Sequence, residues 1–174
     1  MRAALLAVLA LVVAGCLGQE TRRVPNGDVA HELERARAVR PPLYWAGPTV
    51  AGLELTAISL TSRARATFFY GTCELPAGEG GCSPPVQVQQ FPFSAAAWSR
   101  AQRCNSLAPL RGVPAARHDG LVLFTRDRVL KVYARSRADE RRVALALRPV
   151  IGGGIGPLPA PRAPVRALVA RVCR

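Results

Sequence analysis

The sequence predicts an α+β fold, a single domain with a mostly antiparallel sheet, three to four helices packed on it and two disulfides. Three observations carry this. Apolar patterning runs in the order helix, several strands, helix, hairpin, helix. The 174 residues are 49% hydrophobic and only 20% charged, enough apolar surface to offset the entropy of ordering one domain. Four cysteines, Cys73, Cys82, Cys104 and Cys173, remain once Cys16 at the N-terminus is set apart, an even number that reads as disulfides in an exported chain.

The first element is not part of that domain. Met1-Arg2 is a short positive start, and residues 3–13 are an unbroken apolar run. As a helix rising ~1.5 Å per residue, the run spans roughly 16 Å, about half of a ~30 Å hydrocarbon core. That length suits an export signal and not a permanent span. The residues that follow, Val13-Ala14-Gly15-Cys16, resemble the lipobox of bacterial lipoprotein precursors, with Val at 13 in place of Leu as a departure. The resemblance covers about the first 16 residues. It implies that 1–15 is a signal peptide, that cleavage follows Gly15, and that Cys16 carries a diacylglyceryl group and palmitate. The mature chain would then be held by membrane lipid on the extracellular or periplasmic side. Two or more acyl chains, at ~0.8 kcal/mol per buried methylene, give stable attachment where one chain gives marginal binding.

Residues 16–27 are polar and unpatterned and read as a tether. Asn26 or Asp28 can cap a helix over 28–39 with Val29, Leu33, Ala36 and Val39 on one face and His31 toward solvent. Pro41-Pro42 stops it, and 43–45 makes a short strand. Residues 53–61 are strand-like, but the apolar phase shifts between Leu53/Leu55 and Ile58/Leu60, which calls for a bulge or for cover on both faces. Residues 66–70 are a further strand, leading into a Pro/Gly-rich loop whose ends a Cys73–Cys82 bridge would join. Residues 86–91 alternate, giving one buried and one wet face, with Gln87 and Gln89 wet.

Ser94 caps a helix over 95–103. The clearest hairpin pairs 121–124 with 129–134 around Thr125-Arg-Asp-Arg128. A helix over 138–147 has Asp139 and Glu140 in its first turn, favourable against the helix dipole, and ends at Pro149. The α+β domain thus runs over 28–151. Residues 152–164 are too rich in Gly and Pro for regular structure and read as a flexible linker. In 165–174, Val165, Leu168, Val169 and Val172 form a helical apolar stripe, and a Cys104–Cys173 bridge would dock that helix on the domain.

The charge invites a nucleic-acid reading that its distribution does not support. There are 24 basic against 11 acidic residues, net +13, yet Lys131 is the only lysine and the arginines are spread from Arg2 to Arg174 in blocks of at most two. A nucleic-acid footprint clusters its cations and interleaves aromatics. The basic exterior points instead to anionic headgroups or acidic envelope polymers, through salt-screened attraction.

Chemistry leaves little trace. His118-Asp119 resembles a base and its orienting group, but adjacent residues on an extended segment point to opposite faces. Neither a Gly-x-Ser-x-Gly elbow nor a Cys-x-x-Cys pair occurs, and Glu54, Glu74, Glu79, Asp119 and Asp127 are scattered. Gly152-Gly-Gly-Ile-Gly156 lacks the Gly-Lys-Ser/Thr of a phosphate loop. No metal site, cofactor or catalytic residue is indicated. The segment 80–89 resembles exported proteins of high-GC bacteria and implies export but no activity. Gln87 and Gln89, with Tyr44, Trp45 and Tyr70 nearby, would make a hydrogen-bonding and stacking surface. The expected function is a cell-envelope lipoprotein with a binding or structural role. The alternative is a secreted hydrolase or thiol-dependent enzyme using His118 or a cysteine.

Overall fold

Two antiparallel meanders meet strand to strand at the middle of one eight-stranded sheet. The computed structural model describes residues 28–62, 65–72, 83–93 and 104–173. The first meander is β2 (Thr49–Val50), β3 (Leu53–Ser62), β4 (Arg65–Tyr70) and β5 (Val86–Pro92). The second is β6 (Asn105–Leu110), β7 (Val113–Arg117), β8 (Leu121–Phe124) and β9 (Arg128–Ala134). Sheet order is β2-β3-β4-β5-β9-β8-β7-β6, so the last strand of each meander lies at the centre, paired from Val86↔Ala134 to Pro92↔Arg128. β1 (Tyr44–Trp45) pairs with β10 (Arg148–Pro149) in a separate two-stranded ladder.

Because side chains alternate along a strand, each strand feeds two layers. Phe68, Tyr70, Val86, Val88, Leu121, Leu123, Leu130 and Val132 fill the inner layer. Over it lie α1 (Val29–Arg37) and α2 (Arg137–Ala146), which contribute Ala36, Val143 and Ala144. Asp28 caps α1 by accepting from the His31 N–H at 3.1 Å, and Ser136 caps α2 by accepting from Asp139 N–H at 3.1 Å. Ala116, Val122, Phe124 and Val129 face the opposite way, beneath α3 (Ala163–Val172), which inserts Val169 and leans Val165 and Val172 on them. Cys104–Cys173 bridges the base of β6 to the end of α3. All four residues of β8 are therefore buried, since a helix covers each of its faces.

Most expected elements are present. Helix 28–39 is realised as α1, 138–147 as α2 shifted by one residue to its Ser136 cap, and 165–174 as α3, which starts two residues earlier with Pro164 in its first turn and ends at Val172. The phase shift in 53–61 is a bulge, with the β3–β4 register slipping between Leu55 and Ala57. The mostly antiparallel sheet carries three helices among the described residues.

Two expectations need correction. The first concerns 105–117, which carried no predicted strands and forms the β6–β7 hairpin. Its turn is Arg111-Gly112, with φ of 53° and 79°, the paired positive values that a two-residue type I′ connection needs. β6 lacks alternation because it is an edge strand, exposed from Asn105 to Pro109, where the missing N–H of Pro109 is harmless. The second is 152–164, which is irregular but fastened. Leu158 sits in the core, its N–H donating to Arg111 O at 3.0 Å, and Arg126 N–H donates to Pro159 O at 2.9 Å.

Several expectations lie outside the described residues: the signal peptide, Cys16 and the tether, the Cys73–Cys82 bridge, and the helix over 95–103. The one disulfide among the described residues is Cys104–Cys173.

Candidate functional site

The outer face of the sheet changes character along β5 and β9. At one end Phe91 and Val129 turn to the α3 layer. Two and four residues further along each strand, the same face carries Gln89 and Gln87 on β5 and Lys131 and Tyr133 on β9. Pairing aligns these into rows. Phe69, Gln87 and Tyr133 are cross-strand neighbours on β4, β5 and β9, and Thr67, Gln89 and Lys131 form the next row. With strands ~4.8 Å apart, the two rings of the first row flank one amide at about 10 Å from each other.

At the open end of these rows lies a groove of about 610 Å³, lined by Thr72, Ser83, Gln87, Gln89, Tyr133 and Arg135 together with Pro84, Pro85 and Ala134. That volume is within the ~300–1,000 Å³ of small-molecule sites, although the lining is more polar than most such sites. Its amides are chained: Gln89 Nε2 donates to Gln87 Oε1 at 3.2 Å, and Gln87 Nε2 donates to Ser83 Oγ at 2.5 Å. The chain fixes both amide orientations and leaves Gln89 Oε1 as an acceptor, while the hydroxyl-bearing Ser83 and Thr72 also line the groove. Lys131 stacks over the Tyr133 ring at 4.8 Å and pairs with Asp119 at 3.3 Å, which cancels its charge locally. Arg135 is exposed and has no carboxylate partner among the described residues.

Sequence reasoning placed Gln87 and Gln89 correctly on the half-open face. It misplaced their aromatic company. Tyr44 and Tyr70 are buried in the inner layer, Tyr70 accepting from Ala46 N–H at 2.9 Å, and Trp45 lies under the Arg148 guanidinium at 5.7 Å. The rings on the glutamine face are Phe69 and Tyr133. The signal for Tyr133 was the Val129/Lys131/Tyr133 alternation, but only the β5–β9 pairing brings it to Gln87.

The other candidates disperse. His31 is exposed on α1. His118 stands in a turn, its N–H donating to Gly120 O at 3.0 Å, while the Asp119 carboxylate faces Lys131 and Tyr133. Cys104 and Cys173 are spent in the disulfide, so neither is a thiol. Glu54 and Asp127 lie on separate elements, and Glu74 and Glu79 are outside the described residues. Among the described residues no group of three His, Cys, Asp or Glu side chains could hold a metal, and no helix is long and apolar enough to cross a membrane.

The arginines divide by role. Arg111 reaches the carbonyls of Ala144 (3.3 Å), Leu147 and Gly156, tying the end of α2 to the 152–164 segment. Arg128, fully buried, donates from Nε to Pro42 O at 3.0 Å and from an Nη to Pro41 O at 2.6 Å. Burial lowers the pKa of both guanidiniums, with the nearby Tyr44 opposing it. Arg35, Arg37, Arg117 and Arg142 pair with carboxylates. Arg65, Arg126, Arg135, Arg137, Arg141, Arg162, Arg166 and Arg171 stay exposed, so the surface remains basic.

Compared with known proteins, the chain matches no family model, no curated protein and no solved structure.

Proposed function

We propose that this chain is an exported, lipid-anchored domain of the cell envelope with a binding role, held in the membrane by acylated Cys16. The observation that carries the reading is the ordered succession of Arg2, the apolar run 3–13 and Val13-Ala14-Gly15-Cys16. The Cys104–Cys173 bridge supports it, because disulfides persist in oxidising compartments. A second bridge, Cys73–Cys82, belongs to the same reading. The exposed arginines would hold the domain near anionic headgroups or acidic envelope polymers, and the glutamine groove supplies a place for a ligand.

Labelling cells with a palmitate analogue tests the anchor. The wild-type chain should be labelled and sediment with membranes, and Cys16→Ser should lose the label and leave the membrane fraction. A Cys16→Ser chain that stays labelled and membrane-bound overturns the reading. Thiol titration of the unreduced, denatured Cys16→Ser chain should find no free thiol, as two bridges require.

A further inference from the structure

We propose that the groove at the open end of the β5–β9 pair binds a saccharide bearing a carboxylate. This deepens the binding role proposed above and rests on it for its setting, though the binding itself needs no lipid.

Three features select the ligand. The first is the chained pair of amides. Gln87 and Gln89 lock one another and Ser83 in place, so the groove presents fixed donors and acceptors to a ligand without first ordering them. A side-chain amide offers one donor edge and one acceptor, the complement of neighbouring hydroxyls on a sugar ring. The second is the cross-strand row of Phe69, Gln87 and Tyr133, an amide between two rings on one sheet face. Tyr133, which lines the groove, gives a flat apolar surface for the C–H face of a sugar. The polar lining otherwise disfavours a hydrophobic ligand. The third is charge. Lys131 is neutralised by Asp119, so Arg135 is the groove's cation without a carboxylate partner among the described residues. A guanidinium at the mouth matches a single planar carboxylate in two parallel hydrogen bonds.

A nucleic-acid strand would also stack on rings and seek cations. It needs a track of positive charge along its backbone, and among the described residues the groove is lined by one guanidinium, that of Arg135. The observations therefore favour the acidic sugar.

The test is calorimetric titration of the full chain in detergent with a disaccharide of glucuronic acid and N-acetylglucosamine. Diacetylchitobiose, which lacks the carboxylate, is the neutral comparison. The acidic sugar should bind about tenfold more tightly than the neutral one, the scale of one charge-assisted contact. Arg135→Gln should erase that preference by bringing the acidic sugar down to the affinity of the neutral one. Tyr133→Ala should weaken both sugars several-fold, and Tyr133→Phe should restore them. Three results overturn the proposal: no binding of either sugar, a preference that survives Arg135→Gln, or tighter binding of a single-stranded oligonucleotide than of the acidic sugar. Failure of Cys16 acylation would leave this titration as it is, and failure of the titration would leave Cys16 labelling as it is, so the two readings fall separately.

Discussion

The side-chain amide of Gln90 makes both hydrogen bonds of a strand pair with the main chain of Tyr44. Tyr44 N–H donates to Oε1 at 2.9 Å, and Nε2 donates to Tyr44 O at 2.7 Å. Gln90 is 1% exposed and sits on β5 in the inner phase shared with Val86 and Val88. β1 lies outside the eight-stranded ladder, so this amide fastens β1 to the sheet where no strand edge reaches it. Gln90→Leu would leave both main-chain groups of Tyr44 buried without these partners. At ~1–3 kcal/mol per stranded group, partly relieved by relaxation, the loss should be about 2–4 kcal/mol. Urea denaturation checks it, as a lower midpoint with an unchanged slope.

The Cys104–Cys173 bridge should be the largest single contributor to holding α3. The two cysteines are 69 residues apart, and closing a loop of that length restricts the unfolded chain by about 4 kcal/mol. Cys104→Ser with Cys173→Ser should lower stability by roughly that amount. The α3 amides should exchange with solvent sooner than those of α1 and α2, since α3 covers only the smaller outer layer around Phe124 and Val129. Hydrogen exchange resolved by segment reads this directly. Equal loss of protection in all three helices would show that the bridge steadies the whole domain instead.

Elements whose apolar residues recur at one period were legible in the sequence. The Val29/Leu33/Ala36 and Val165/Leu168/Val169 stripes became the helices expected because each buries a single face, and the 121–134 hairpin was legible as two apolar runs around a polar turn, buried on both faces. The β6–β7 hairpin was not legible. Its outer strand buries only Leu110, and its turn rests on Arg111 accepting a positive φ that Asn or Asp more often supplies. The groove was half legible for a related reason. Alternation assigned Gln87 and Gln89 to a face, but which rings stand beside them depends on the β5–β9 pairing across 46 residues of chain, from Gln87 to Tyr133. Nothing local encodes that register. Gln90 shows the limit from the other side: a polar residue in the buried phase signals a partner, and only the fold names Tyr44.

Arg117 and Glu140 should prove strongly coupled. Arg117 continues the inner phase of Val113 and Ala115 on β7 and meets Glu140 in the first turns of α2, with Nη1 to Oε2 at 2.5 Å. The Glu140 side chain is 9% exposed and Arg117 24%, so solvent screens the pair little. Arg117→Met would leave a buried carboxylate unpaired and should cost about 2–4 kcal/mol. Arg117→Met with Glu140→Met removes both charges and should recover most of that loss. A double-mutant cycle by denaturation gives the coupling, and additive single effects would show the pair to be energetically idle.

The domain should lose stability in alkali through two buried phenols. Burial raises the pKa of Tyr70 well above the ordinary 10.0, against weaker opposing effects of its Ala46 hydrogen bond and Arg148. Burial also raises Tyr44, helped by Asp127. A folded pKa above the unfolded one means that, past pH 10, the unfolded chain has released protons the folded chain still holds. Stability is therefore intact below about pH 10 and falls as pH rises toward the folded values, by at most ~1.4 kcal/mol per pH unit for each phenol. Denaturation midpoints taken between about pH 8 and about pH 11 should stay level and then drop. In the Tyr133→Phe chain, tyrosinate absorbance should appear together with loss of structure. If it instead appears near pH 10 while the protein stays folded, solvent reaches Tyr44 and Tyr70, and the inner layer is looser than their burial indicates.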